Sequence, residues 1–328
     1  MSTKITFVGL GQIGSSMGLA LAPYKEKITR VGHDADARLM KNLEKEGAFD
    51  KTETKLLDAV RGADLVIMDY PADLVRDGLS IIAKEVKPET IIIAISLVSK
   101  VVYEWARELL PAKQSFIVLQ PVIHPDRLAD WNDTLLTPHA DLFENCDMII
   151  TTDVDTQPRA VQMATDLCSL IKAKPYFTEP MEADGIIAGV EQLPKLTAVA
   201  LLSTLLNSPG WGDARHFTSR AFFRTASISM LYDEQEFFGI TSLMNKENTT
   251  RVLDEMIAEL KDMRRMVNEE DEEGLRKTLK DAREGYTLWL DQRTSGEWDR
   301  EKKPAFPASQ NMMGRLFGGR PPRENDVK

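Results

Sequence analysis

The segment from residue 3 to residue 14 constrains the fold of this 328-residue chain more than any other. It reads TKITFVGLGQIG, in which a β-rich run leads directly into glycines at the spacing G-x-G-x-x-G. The residues at helical spacing behind it are Ile13, Ser16, Met17, Ala20 and Leu21. A strand, a tight turn and a helix in this order predict the first unit of a dinucleotide-binding domain, with an ordinary turn as the alternative.

The glycines of this loop each have a physical role in binding a dinucleotide. Gly9 permits the turn, Gly11 lets a pyrophosphate approach the backbone, and Gly14 lets the helix pack closely on the strand. The start of the helix, which includes Gln12 and Ile13, faces the anion with unpaired N–H groups and a partial positive charge. We therefore predict that these five residues bind the cofactor.

A second β-rich run, KITRVGH, leads to Asp34. Folds of this kind place there an acid that accepts hydrogen bonds from the adenosine ribose. A carboxylate would repel the 2′-phosphate of NADP, so the sequence favours NAD, although Arg30 and Arg38 lie close enough to weaken that preference. The alternative role for Asp34 is to cap the following helix.

Strand-like and helix-like segments then alternate. The predicted strands are DLVIMDYP, ETIIIAIS, SFIVLQPV and DMIITT, and the predicted helices are Ala72–Val86, Val101–Leu110 and Pro158–Ile171. This alternation predicts an α/β fold with a Rossmann-type doubly wound parallel sheet, whose site lies at the carboxyl ends of the strands. The run KPYFTEP is predicted to lead out of this domain.

His124 lies in the run LQPVIHPDR, directly after one of these strands. That position puts the imidazole at the sheet edge where cofactor and substrate would meet. Imidazoles ordinarily titrate near neutral pH, as proton transfer requires. We predict that His124 is catalytic, with a loop histidine that has no chemical role as the alternative.

The second half is predicted to be all-helical, which gives domains at residues 1–177 and 178–292 and a tail at 293–328. A helical run around Pro194 begins it, and a break near Gly274 separates two amphipathic helices. Their apolar positions are Val252, Met256, Leu260, Met263 and Val267, then Leu275, Leu279, Ala282, Tyr286 and Trp289. Such paired helices predict a homodimer, with a monomeric helical cap as the alternative. In the tail, Met312, Met313, Leu316 and Phe317 could dock on a partner surface.

Composition argues against several classes of partner. A formal charge of -10 opposes binding to nucleic acid and to anionic lipid. Cys146 and Cys168 are too few for a disulfide framework and lack metal-ligand spacing, so we predict no metal and a cytoplasmic protein. The most apolar run, Ile91 to Val98, is too short to cross a membrane.

The order of motifs over residues 4 to 290 resembles that of the prephenate and arogenate dehydrogenases of tyrosine biosynthesis. The segments that carry it are GLGQIGSSMGLAL, VIMDYP, IHP, ADLFENCDMIITT, ADGIIAGVEQLPKLTAVAL and FFRTAS. The resemblance implies NAD-dependent oxidative decarboxylation of a small cyclohexadienol carboxylate. It implies that His124 takes the hydroxyl proton and that Pro71 lies at the cofactor.

The resemblance also implies substrate contacts. Arg224, in FFRTAS, matches the arginine that binds a carboxylate, and Arg220 and Arg215 are close competitors. The family turn Asp-x-x-Ser-x-Lys is present only as AISLVSK. We therefore expect Ser99, or else Ser96, as the catalytic hydroxyl and Lys100 as the matching lysine.

Other positions depart from the family pattern. Gln192 and Lys195 stand where many members have histidines around a Leu-Pro step, and Ala183-Asp184 replaces a His-Asp pair. Both Gln192 and Lys195 are predicted to contact the substrate, with the solvent face of the helix as the alternative. After His-Pro, Asp126-Arg127 replaces an apolar and a small residue. The sequence therefore leaves open which carboxylic acid is the substrate.

Two other functions remain at this point. A dehydrogenase of the 3-hydroxyacid type would use a lysine on an early helix of the second domain, and Lys195 lies in roughly that region. A catalytically degenerate member would bind NAD or a metabolite for sensing, which the altered substrate motifs allow.

Overall fold

The fold is described from a computed structural model of the chain. The structure describes residues 2–111, 114–128, 137–230 and 235–298. Among them, residues 2–124, 137–230 and 235–260 form one compact unit. Residues 125–128 and 261–298 form a second. The division therefore falls within a long helix rather than at the predicted boundary between residues 177 and 178, and that boundary stays a prediction.

The described elements alternate between strands and helices up to residue 178 and are helical beyond it. The strands are β1 (Thr3–Val8), β2 (Ile28–His33), β3 (Lys51–Thr52), β4 (Leu65–Met68), β5 (Ile91–Ile95), β6 (Ser115–Pro121), β7 (Asp147–Thr151) and β8 (Lys174–Thr178). The helices of the alternating part are α1 (Gln12–Ala20), α2 (Ala37–Lys45), α3 (Leu56–Val60), α4 (Ala72–Ile82), α5 (Lys100–Leu109) and α6 (Pro158–Leu170). Those that follow are α7 (Pro180–Ile187), α8 (Leu193–Leu206), α9 (Trp211–Ala214), α10 (Arg220–Ala226), α11 (Gln235–Met244), α12 (Lys246–Asn268) and α13 (Glu272–Ser295).

The strands form one sheet in the order β3-β2-β1-β4-β5-β6-β7-β8. Neighbours from β3 to β6 pair in parallel, so their carboxyl ends share one edge of the sheet. This order is that of a doubly wound dinucleotide-binding sheet, and it confirms the predicted fold class together with the helical second half.

The central strands are buried on both faces. In β4, Leu65 and Ile67 pack into one apolar cluster, and Val66 and Met68 pack into the other. The first cluster includes residues of α1, α2 and α6, and the second includes residues of α3, α4 and α5. Because helices cover both faces, the chain segments that leave the carboxyl edge are the ones free to form a site.

The far side of the sheet differs from the prediction. The run KPYFTEP, predicted to lead out of the domain, contains the edge strand β8, in which four of five residues are exposed. β7 is antiparallel to β6, where the alternation predicted a parallel strand. The described parts of the segment between β6 and β7 contain no α-helix, and an antiparallel pair needs no crossover helix.

A continuous helical run covers residues 180–206, in which a π-helical turn, Ala188–Gln192, joins α7 to α8. Pro194 follows that turn, and a wider turn accommodates a residue that lacks an N–H group and crowds the preceding carbonyl. Within the described part of the chain, this is the one run long and apolar enough to cross a membrane by length and composition alone. It nonetheless carries Asp184 and Lys195, both buried by other parts of the first unit.

The second unit contains the end of α12 and all of α13. Asp271 caps α13 by accepting a hydrogen bond from Gly274 N at 2.9 Å, so Gly274 lies in the first turn and the break precedes it. Large exposed side chains of the two helices are Met263, Val267, Leu279, Tyr286 and Trp289. The tail residues Met312, Met313, Leu316 and Phe317 lie outside the described residues.

Candidate cofactor and catalytic site

The glycine loop between β1 and α1 lies at the carboxyl edge of the sheet. Gly9 has a φ of 84°, and a Cβ there would lie 2.3 Å from the carbonyl oxygen of Asp69. Both facts require glycine at this turn. Gly11 is the N-cap of α1, and it has no side chain that could cover the start of the helix. The loop can therefore present backbone N–H groups to an anion at close range.

The other predicted cofactor residues of this loop lie around the same helix start. Gln12 and Ile13 occupy the first positions of α1, where Gln12 Nε2 donates to the carbonyl oxygen of Thr137 at 3.0 Å. Ile13 packs against the apolar cluster. Pro71 precedes α4 at the end of the neighbouring strand segment. The structure thus brings the predicted residues to one edge.

Asp34 follows β2 on this edge. Its Oδ2 accepts a hydrogen bond from Leu10 N and its Oδ1 accepts one from Asp36 N, both at 2.8 Å. Asp36 is the N-cap of α2, so the alternative role of Asp34 as the cap is wrong. These two backbone donors hold the Asp34 carboxylate beside the glycine loop, where a ribose acceptor would be needed.

Arg30, which weakened the preference for NAD, is unavailable to a phosphate. It is buried, and its guanidinium lies 2.6 Å from Asp50 Oδ1. The same group donates to three backbone carbonyls, including that of Gly18 at 2.8 Å. Arg38 is exposed in the first turn of α2. Of the two arginines four positions from Asp34, Arg30 is therefore held by contacts within its own domain.

Asp69 is a cofactor-edge residue that the sequence did not identify. Its Oδ2 accepts a hydrogen bond from Gly14 N at 2.8 Å and would lie 3.1 Å from a Cβ on Gly11. Burial, and to a lesser extent the nearby Asp34 carboxylate, raises the pKa of Asp69 to about 6. The hydrogen bond from Gly14 opposes that shift. A carboxyl group from the end of β4 thus lies against the glycine loop.

His124 follows β6 on the carboxyl edge. Its backbone N donates to the carbonyl oxygen of Leu142 at 2.7 Å, which fixes the chain where it leaves the strand. The residue is partly buried. A partly exposed imidazole at this edge can meet a substrate hydroxyl.

The two candidate hydroxyls of AISLVSK differ in their contacts. Ser96 Oγ donates to the carbonyl oxygen of Val98 at 2.9 Å and serves its own turn. Ser99 is fully buried, and Gln120 Nε2 donates to its Oγ at 3.2 Å. Thr151 Oγ1 lies 3.4 Å from the same oxygen. Ser99 therefore belongs to a polar cluster beneath the edge, and Gln120 connects it to the strand that leads to His124.

Asp184 joins the helical part of the first unit to α5. Its Oδ1 accepts from Ser99 N at 2.5 Å, and its Oδ2 accepts from Lys100 N at 3.1 Å. Burial raises the pKa of Asp184, against the effect of these hydrogen bonds. Lys100 itself has an exposed side chain. Two of the N–H groups at the start of α5, which have no partner within the helix, thus find an acceptor on α7.

Gln192 and Lys195, expected to contact the substrate, both lie in the interior of the first unit. Gln192 Oε1 accepts from Thr249 Oγ1 at 2.8 Å and from Asn245 Nδ2 at 3.2 Å. Lys195 Nζ lies 3.0 Å from Glu191 and 5.3 Å from the ring centre of Phe238. The solvent-face alternative is therefore wrong for both side chains.

The candidate carboxylate-binding arginines lie apart from this interior. Arg220 and Arg224 are exposed and four residues apart on α10, so they share one face of the helix. Arg215 lies in a short 3₁₀ segment, and its Nε donates to the carbonyl oxygen of Gly212 at 3.1 Å. Two guanidinium groups on one face can bind a carboxylate.

No group of His, Cys, Asp and Glu side chains within the described residues is arranged to hold a metal ion. The loop around Gly9, Gly11 and Gly14, with the fixed Asp34 carboxylate, instead fits the phosphates and ribose of a dinucleotide.

Two family models match the chain. That of the prephenate dehydrogenase nucleotide-binding domain matches residues 17–177, and that of the prephenate dehydrogenase dimerization domain matches residues 179–281. Among curated proteins, the chain is 25% identical to the prephenate dehydrogenase of Bacillus subtilis over 295 residues, which covers 88% of this chain and 77% of that protein. It is 23% identical to the cyclohexadienyl dehydrogenase of Zymomonas mobilis over 280 residues, which covers 85% and 93%.

Solved structures of similar fold include the prephenate dehydrogenase of A. aeolicus in complex with hydroxyphenyl propionate and NAD+. The TM-score is 0.76 at 19% identity, over 88% of this chain and 98% of that one. The arogenate dehydrogenase of Synechocystis has a TM-score of 0.69 at 18% identity, over 88% of this chain and all of that one. At these identities the likeness shows a shared fold.

Proposed function

This chain belongs to the prephenate dehydrogenase family, and we propose that it is an NAD-dependent dehydrogenase that converts a cyclohexadienol carboxylate to a phenol in tyrosine biosynthesis. One observation carries the proposal: the glycine loop, Asp34 and His124 lie at one carboxyl edge of a sheet in which β1 to β6 are parallel. The names of the similar proteins, prephenate, arogenate and cyclohexadienyl dehydrogenase, support the substrate class.

The dinucleotide is NAD rather than NADP. Asp34 would accept hydrogen bonds from the adenosine ribose and would repel a phosphate on its 2′ oxygen. Arg30, which could have offset that repulsion, is bound to Asp50 and to backbone carbonyls. The loop at Gly9 and Gly11, with the first residues of α1, holds the pyrophosphate, and Gly14 lets α1 pack closely on the strand.

His124 is the proton acceptor of the reaction. The carbinol carbon loses its hydrogen with the bonding electron pair, and the O–H proton passes to the His124 imidazole as the carbonyl forms. The nicotinamide supplies the acceptor for that hydride when it is bound. The bond from the ring to its carboxylate then breaks, and its electrons pass through the ring to the carbonyl oxygen as carbon dioxide leaves. That oxygen takes up a proton, and the product is the phenol.

The other predicted site residues have different tasks. Arg224, with Arg220 on the same face of α10, binds the carboxylate of the substrate side chain. Ser99 is buried, so we assign it, with Gln120, to positioning the strand end that carries His124. Lys100 is exposed at the start of α5 and supplies positive charge at the site.

Gln192 and Lys195 support the site from the interior of the first unit. Gln192 accepts hydrogen bonds from Asn245, which precedes α12, and from Thr249 in α12, rather than binding a ligand. Lys195 is paired with Glu191, an arrangement that suits a fixed charge better than a proton carrier. This pairing is the reason to prefer the cyclohexadienol reaction over one of the 3-hydroxyacid type.

The protein is a cytoplasmic homodimer. The family model for residues 179–281 describes a dimerization domain. In the single chain, apolar side chains of the second unit such as Leu279, Tyr286 and Trp289 are exposed, and they would be covered in a dimer.

The test is NADH formation by the purified protein with prephenate, arogenate and a panel of 3-hydroxyacids, each with NAD and with NADP. We expect turnover of prephenate or arogenate with NAD, strongly reduced in H124Q and retained in K195M. Turnover of a 3-hydroxyacid alone, lost in K195M and kept in H124Q, would contradict the proposal. NAD binding with no turnover of any substrate would indicate the sensor instead.

A further inference from the structure

A carboxyl group of the protein occupies part of the surface that a dinucleotide phosphate would approach. Asp69 lies directly after β4, the neighbour of β1, and its Oδ2 accepts a hydrogen bond from Gly14 N at 2.8 Å. The same oxygen would lie 3.1 Å from a Cβ on Gly11. One of the N–H groups at the start of α1 is thus already bound by the chain's own acid.

The groups that face Asp69 do not balance a negative charge on it. From the end of β2 the facing group is the Asp34 carboxylate, and from the loop and α1 it is backbone. Tyr70 follows Asp69, and its ring carbon would lie 3.0 Å from a Cβ on Gly9. Asp34 is held by Leu10 N and Asp36 N, so two carboxylates flank one short glycine loop.

A bound pyrophosphate would add negative charge to the same loop. Like charges at close range in a partly buried site repel strongly, and a carboxyl group can relieve this by taking up a proton. Asp34 is needed as an acceptor for the ribose, whereas Asp69 has no such requirement. Burial and the nearby Asp34 already raise the pKa of Asp69 to about 6. A small further rise in this pKa is therefore enough to protonate Asp69 near neutral pH.

We propose that Asp69 is a further cofactor-site residue that takes up one proton when the dinucleotide binds, so that the affinity for NAD falls as pH rises. This inference rests on the proposed function, because it assumes that NAD binds the glycine loop. It follows that the negative charge of ionised Asp69 weakens NAD binding at neutral pH and above.

The first test measures NAD binding to the wild type and to D69N by calorimetry between about pH 5 and pH 8. In the wild type the dissociation constant should rise about tenfold for each pH unit above 6. In D69N, which keeps the acceptor for Gly14 N, it should stay level and lie about 100-fold below the wild-type value near pH 8. D77N, which removes an exposed acid of α4, is the matched control and should follow the wild type.

The second test needs no variant. Near pH 7, the heat of NAD binding in two buffers with different ionisation enthalpies gives the number of protons taken up. We expect about one for the wild type and about none for D69N. Equal affinity of D69N and the wild type at both pH limits, with no proton uptake, would overturn the inference. Absence of NAD binding to the wild type at every pH would instead refute the proposed function.

Discussion

The residues around the glycine loop show which details of a site depend on long-range contacts. Asp34 could be predicted, because it follows a strand at a position that dinucleotide-binding folds use for an acid. Asp69 could not, because its contact with Gly14 joins residues 55 positions apart and requires β4 to lie beside β1. The buried ion pair of Arg30 with Asp50 was missed for a similar reason, since burial of an arginine depends on the packing around it.

The raised pKa of Asp69 has a consequence for stability without any ligand. A carboxyl group whose pKa is about 6 when folded, above the ordinary value near 4, makes the native state less stable as pH rises through that range. D69N lacks this effect. The free energy of unfolding of the wild type should therefore fall relative to that of D69N by about 1 kcal/mol as the pH rises from about 5 to about 7.5.

Urea unfolding at these two pH values measures the difference. D77N serves again as the control, because Asp77 is exposed on α4. A difference between D69N and the wild type that does not change with pH would show that Asp69 is not perturbed.

At the scale of elements, the sheet and the helices around it were predictable where strands are buried on both faces, as β4 and β5 are. The hydrophobic pattern of the sequence did not predict β8, because an edge strand with four exposed residues has no apolar run. It also failed to place Asp184, whose side chain reaches the start of α5 from α7, 85 positions away in sequence. That contact is one of those that connect the nucleotide-binding and helical parts of the first unit.

Removal of the Asp184 carboxylate should weaken this connection. In D184A, the N–H groups of Ser99 and Lys100 lose their acceptor in a buried place, which costs about 2 kcal/mol of the free energy of unfolding. Thermal and urea unfolding measure it, with D77A as the exposed control. A loss no greater than that of D77A would mean that water or a rearranged side chain replaces Asp184.

At the scale of the whole molecule, the paired helices were predicted from apolar positions spaced along α12 and α13. The structure adds that several of these positions, including Val267, Leu279 and Tyr286, are exposed in the single chain. Sequence periodicity alone cannot tell a face that packs within one chain from a face that packs between two chains. The match of residues 179–281 to a dimerization domain offers an explanation, because apolar side chains that are exposed in one chain can pack against a second chain.

A charge on that face should dissociate the proposed homodimer. L279E places a carboxylate where an apolar contact is expected, so sedimentation should show the wild type at twice the chain mass and L279E as a monomer. K277E, two residues earlier and exposed on α13, should remain a dimer. If both variants sediment as the wild type does, the interface lies elsewhere.

NADH formation by H124Q with the cyclohexadienol that the wild type oxidises, measured together with its affinity for NAD, decides whether His124 is the proton acceptor. We predict that kcat falls about 10²- to 10⁴-fold while NAD affinity is unchanged, because the imidazole accepts the substrate proton and does not hold the cofactor. H216N, which alters an exposed histidine, should match the wild type. Turnover by H124Q at the wild-type rate would show that His124 is not the proton acceptor.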